Sequence, residues 1–141
     1  MSGRGTISGE VLVPGCAGTG AALVLTAPIS FWGGVDPKTG RIADVRHPEC
    51  GDNIAGKVLF VPGTIGSSSA AAVLMELVHA RLAPAAIVLD APDAILLLGL
   101  IVAREMGWPT PVAVELERSA HAQFARRRVT VGADGVLSID H

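Results

Sequence analysis

A chain of 141 residues, 50% of them hydrophobic and 17% charged, has room for one domain around a single core. Eleven Lys and Arg against thirteen Asp and Glu leave a formal charge of -2, which lacks the excess of positive charge that a nucleic-acid-binding face requires. Cys16 and Cys50 are the only cysteines, too few for a disulfide framework, a four-ligand zinc site or an iron–sulfur cluster, and both are expected as thiols.

In chain order, Met1 to Glu10 is polar and glycine-rich with no signal-peptide core. Glu10–Val13 and Ala21–Thr26 read as strands, because short β-branched runs stand there between glycines and prolines. The intervening Gly15-Cys-Ala-Gly18-Thr-Gly20 has the wrong order for a dinucleotide loop and leads into a strand, so it reads as a turn. Ala27 to Gly40, with two prolines, an Asp-Pro and a double glycine, predicts a long structured loop, and such loops commonly carry function. Within it Gly33-Gly34 lets backbone N–H groups approach a ligand closely. Phe31 and Trp32 read as a plug for the end of a β layer, and Asp36 as a turn residue. His47-Pro-Glu-Cys50 pairs a His with a Cys, but two ligands do not make a metal site, so this too reads as a turn.

From Lys57 the pattern changes. Val58–Val61 predicts a buried strand ended by Pro62-Gly63, and Ser67 to Ala80 a helix with a serine N-cap and an apolar stripe at Val73, Leu74, Leu77 and Val78. Ala85–Leu89 predicts a strand, Asp93–Met106 a strongly apolar helix with Asp93 near its N-terminus, and Val112–Val114 another strand. Alternating strands and helices imply βαβ units with parallel neighbours. The tail, with Val129, Val131, a Gly132–Gly135 turn and Val136–Ile139, predicts a hairpin. The run Ala94 to Ala103 is well short of the roughly 18 residues of a membrane span, so the expectation is one soluble, cytoplasmic domain over 1–141. Its mean hydropathy of +0.50 has two explanations, an alanine- and valine-rich core or apolar surface covered by a partner.

The most informative local feature is Val61 to Ser69, a strand turning through glycines into a helix that begins with three serines. Helix N-terminal N–H groups and the positive end of the macrodipole favour a carboxylate, a phosphate or an alkoxide at Ser67, and an ordinary N-cap fits the same residues. The segment lacks the Lys of a phosphate-binding P-loop and the second glycine of a nucleophile elbow. A serine hydrolase would also need a base. His79 lies twelve residues along from Ser67, about 18 Å on one helix, which leaves His47 or His121 to arrive by tertiary folding.

Taken together, Pro28 to Gly40 (PISFWGGVDPKTG), His47-Pro48, Gly56-Lys-Val-Leu59, Gly66-Ser-Ser-Ser69, Ala83-Pro-Ala-Ala-Ile-Val88 and the apolar segment ending Gly99–Ala103 resemble, in order, the small subunit of aconitase X. The resemblance runs from about Gly9 to Ile139. It implies an α/β fold, a swivelling β/β/α domain like the mobile domain of aconitases, closing over an active site built mainly by a large subunit in a heterodimer. Family members resemble two kinds of dehydratase, one acting on cis-3-hydroxy-L-proline to give Δ1-pyrroline-2-carboxylate and one on mevalonate 5-phosphate. By that resemblance Ser67 is the catalytic base that takes the proton α to the carboxylate of a small hydroxy-acid substrate. Gly66, Ser68, Ser69, Gly33 and Gly34 are candidate substrate-binding residues. An iron or iron–sulfur centre is expected on the large subunit, with no metal ligand here and no activity from this chain alone. The Phe-Trp of the loop and the long Asp90-to-Trp108 segment favour the hydroxyproline substrate. The alternatives are the mevalonate 5-phosphate dehydratase small subunit and a non-enzymatic anion-binding module.

Overall fold

The computed structural model describes residues 6–140, and His141 and the first five residues lie outside that range. Eight strands form one mixed sheet: β1 (Thr6–Ser8), β2 (Glu10–Val13), β3 (Gly18–Val24), β4 (Val58–Val61), β5 (Ala86–Leu89), β6 (Val112–Glu115), β7 (Arg128–Val131) and β8 (Val136–Asp140). Their spatial order is β1-β8-β7-β3-β4-β5-β6-β2. The two ends of that order are consecutive in the chain, separated only by Gly9, whose N–H donates to Gly135 O. The sheet therefore closes on itself, which leaves few unpaired edges to template wrong pairings. Strands β3 to β6 run parallel, and the tail hairpin β7–β8 and β1–β2 complete the ring in antiparallel fashion.

This closure gives the chain two cores where its length suggested one. Alternate residues of each parallel strand point to opposite faces. Val58, Phe60, Ala86, Val88, Val112 and Val114 fill the inside of the ring with Phe124, Val129 and Leu137. Leu59, Val61, Ile87, Leu89 and Ala113 face the other way, against α2 (Ala70–His79) and α3 (Ala94–Glu105). Burial on both faces explains why β4, β5 and β6 read as unbroken apolar runs. The Phe60 and Phe124 rings stack at 5.2 Å in the inner core.

The predicted strands and helices are present, with ends shifted by a few residues at most. Two local readings are corrected. Gly18-Thr-Gly20 is the start of β3, not a turn: a Cβ on Gly18 would meet Ala85 O and one on Gly20 would meet Gly56 O, so the glycines let this strand cross closely over its neighbours. Thr6–Ser8, inside the segment read only as polar, is strand β1.

Candidate active site

The C-terminal ends of β4 and β5 feed directly into the N-termini of α2 and α3. In parallel α/β sheets this end collects loops and the positive ends of helix dipoles, and ligands bind there. Ser67 lies on the loop between β4 and α2. The Ser69 N–H donates to Ser67 Oγ at 3.2 Å, and Ala70 N–H donates to Ser67 O at 3.1 Å. The expected serine N-cap is thereby corrected. Ser69 occupies the cap position of α2 in a helical conformation (φ -87°, ψ -7°) and makes no side-chain cap bond, while Ser67 accepts the amide through a tight turn. The first amides of α2 lack partners in the helix itself and supply partial positive charge beside Ser67.

A second loop lies alongside. Residues Phe31–Gly34 form α1, a kinked turn in which Trp32 (ψ 118°) and Gly33 (φ 80°) leave helical geometry. Phe31 is 1% exposed and plugs the core as expected, but Trp32 is 60% exposed and does not. Trp32, Gly33 and Asp36 face Ser69, Ala72 and Glu76 of α2 across an open cleft of about 630 Å³. Of the candidate binding residues, Gly33 and Ser69 therefore meet at one cleft. Ser67 precedes it by a single turn, Gly66 and Ser68 are exposed outside its lining, and Gly34 is buried with its Cα side turned to Ile29, where a Cβ would come within 3.1 Å. Asp36 makes the predicted turn, its Oδ1 accepting Lys38 N–H at 2.9 Å. Glu76 at the cleft carries no motif that the sequence would have flagged.

Among the described residues, His47, His79 and His121 are otherwise engaged. His47 is 6% exposed; its Nδ1 accepts the Glu49 N–H at 3.0 Å, so its Nε2–H donates to Ala27 O at 3.0 Å. His121 is 2% exposed and its Nε2–H donates to Leu116 O at 2.7 Å, leaving Nδ1 buried and unpartnered. Burial, the dominant effect, lowers the His121 pKa below the ordinary histidine value. The His79 ring packs against Trp108 at a tilt, centroids 4.8 Å apart, at the far end of α2. Two further cavities, of about 720 and 590 Å³, adjoin there around Cys16, Trp108 and Thr110, at the N-terminal ends of the parallel strands and away from Ser67.

Among the described residues no group of three or more His, Cys, Asp or Glu is placed to hold a metal ion. Cys16 lies in the far groove and Cys50 in the turn after His47, both free and exposed, so the donors of this chain do not fit an iron–sulfur centre.

A family model described as the aconitase X swivel domain matches residues 6–139. The chain belongs to this family. A cis-3-hydroxy-L-proline dehydratase of Pseudomonas aeruginosa is 46% identical over 105 residues, 72% of this chain and 18% of that protein. A phosphomevalonate dehydratase small subunit of Methanothermobacter thermautotrophicus is 45% identical over 86 residues, 61% of this chain and 66% of that subunit. The crystal structure of Thermococcus kodakaraensis aconitase X in its holo form superposes with a TM-score of 0.83 at 30% identity, covering 96% of this chain and 98% of that one. The swivel domain thus spans under a fifth of the Pseudomonas enzyme and about two thirds of the Methanothermobacter subunit.

Proposed function

We propose that this swivel domain is the small partner in an aconitase X-type dehydratase, closing over a substrate held by a large chain, with Ser67 as the base that removes the proton α to the substrate carboxylate. The observation that carries the reading is the placement of Ser67 at the N-terminus of α2, at the C-terminal end of the parallel strands, with an amide N–H already directed at its Oγ. That arrangement favours negative charge on the oxygen. A helix N-terminus contributes at most about 2 kcal/mol, too little by itself to hold an alkoxide in water. The rest of the stabilisation falls to the covering chain, which would also exclude water and provide the group that assists departure of the β-hydroxyl. The residues of this chain supply the proton-removing half of the reaction and, through Gly33, Ser69 and the first-turn amides, donors for the carboxylate.

Of the two substrates named among the relatives, we favour cis-3-hydroxy-L-proline. The cleft beside Ser69 is bordered by Asp36 and Glu76 and by no Lys or Arg, so this chain offers a phosphate no cation there. Mevalonate 5-phosphate is the second reading, supported by the several phosphomevalonate dehydratase small subunits among the relatives. Co-expression with an aconitase X-type large chain, followed by assay on both compounds, tests the proposal. Dehydration of cis-3-hydroxy-L-proline alone is the expected result; turnover of the phosphate ester alone would shift the assignment, and a stable complex inactive on both would favour an anion-binding module.

A further inference from the structure

The hydrogen bonds of residues 25–29 show what holds the Ser67 loop in place. The parallel ladder of β3 and β4 continues past β3 with Leu25 N–H donating to Phe60 O at 3.0 Å. It resumes at Ile29, which bridges to Thr64: Ile29 N–H donates to Gly63 O at 3.2 Å and Ile65 N–H to Ile29 O at 3.0 Å. Ile65 is two residues from Ser67, so this resumed ladder fixes the approach to the base. Between the two pieces, Thr26, Ala27 and Pro28 leave the ladder, and their backbone polar groups need other partners.

Two side chains from the His47–Cys50 turn provide partners for the Thr26 N–H and the Ala27 carbonyl. The Glu49 carboxylate accepts both the Thr26 N–H and the Thr26 Oγ–H at 2.8 Å. The buried His47 ring donates to Ala27 O while accepting the Glu49 N–H, which binds the two members of the turn to each other. His47 makes no hydrogen bond to Ser67 and joins no metal-binding group among the described residues.

We infer that His47 and Glu49 are positioning residues: together they latch the Thr26–Pro28 excursion so that Ile29 can re-pair with Gly63–Ile65 and set Ser67. The inference rests on the reading of Ser67 as the base. A small displacement of a reacting group costs rate far more than it costs stability, so the latch should register in turnover before it registers in unfolding.

Two substitutions separate the bonds of the ring. His47→Asn retains an oxygen for the Glu49 N–H, as in an Asx turn, but is too short to reach Ala27 O. His47→Gln places an amide N–H where Nε2–H was. Amide hydrogen exchange on the chain is read by NMR at Ile29 and Ile65, with Val88 in the inner core as the reference, alongside kcat and KM of the complex with its large chain. His47→Asn is expected to speed exchange at Ile65 about tenfold with Val88 unchanged, and to lower kcat at least tenfold with KM within twofold. His47→Gln is expected to stay within about twofold of wild type in both. Wild-type exchange and kcat in His47→Asn would overturn the inference, and so would equal loss of protection at Ile65 and Val88 in both variants. The exchange reads the latch without turnover, so a Ser67→Ala complex of full activity would overturn the base assignment and leave the latch result standing.

Discussion

Arg81 ends α2 in the left-handed region at φ 63°, a conformation that costs a side-chain-bearing residue energy and suits glycine. Around it the Leu82 N–H donates to Leu77 O at 2.8 Å, the bond of a Schellman ending. Arg81→Gly should therefore raise stability by about 0.5–1 kcal/mol, seen as a higher denaturant midpoint at unchanged slope. His121 offers a second test at this scale. Its folded pKa lies below the unfolded value because burial disfavours the cation, so below about pH 6.5 the unfolded chain binds the proton more readily. Stability is whole above that pH and falls as pH drops toward the folded pKa, by at most about 1.4 kcal/mol per unit for one proton. His121→Gln, which can keep the donor to Leu116 O but does not titrate, should remove that slope between pH 6.5 and 5 in thermal melts.

At the scale of elements, α3 shows how local chemistry specifies a boundary. Asp93 Oδ1 accepts the Ile95 and Leu96 N–H groups, both at 3.1 Å, and Asp93→Ala should cost about 1 kcal/mol in chemical denaturation. The sequence made this helix legible because cap, apolar period and length agree within one stretch. Val58–Val61 was legible for a similar reason, as a short apolar run bounded by turn residues. Gly18-Thr-Gly20 was not, because its glycines answer to Ala85 and Gly56, more than thirty residues distant, and no local pattern reports that. Trp32 was misplaced since a tryptophan beside a buried Phe31 gives no sign of which ring turns inward. The latch is hidden for a related reason: His47 and Glu49 reach back 20 and 23 residues, and only the His-Pro motif marked the turn that carries them.

Across the whole molecule, the closed sheet accounts for much of the high hydropathy by filling a second core, and α3 adds to it by leaving Ile95, Leu98 and Ile101 about half exposed. Among the described residues no helix is long and apolar enough to cross a membrane. The same architecture divides labour. The ring and the helix layer carry the loops, the C-terminal ends of the parallel strands present Ser67, and in the proposed assembly metal chemistry falls to the large chain. In the proposed reaction Ser67 performs the proton transfer. The most direct test is kcat of the complex carrying Ser67→Ala on cis-3-hydroxy-L-proline, with assembly checked at the same concentration. A general base is worth about 10²–10⁴ in rate, so kcat should fall at least about a hundredfold with assembly intact. Turnover at the wild-type rate would contradict the account.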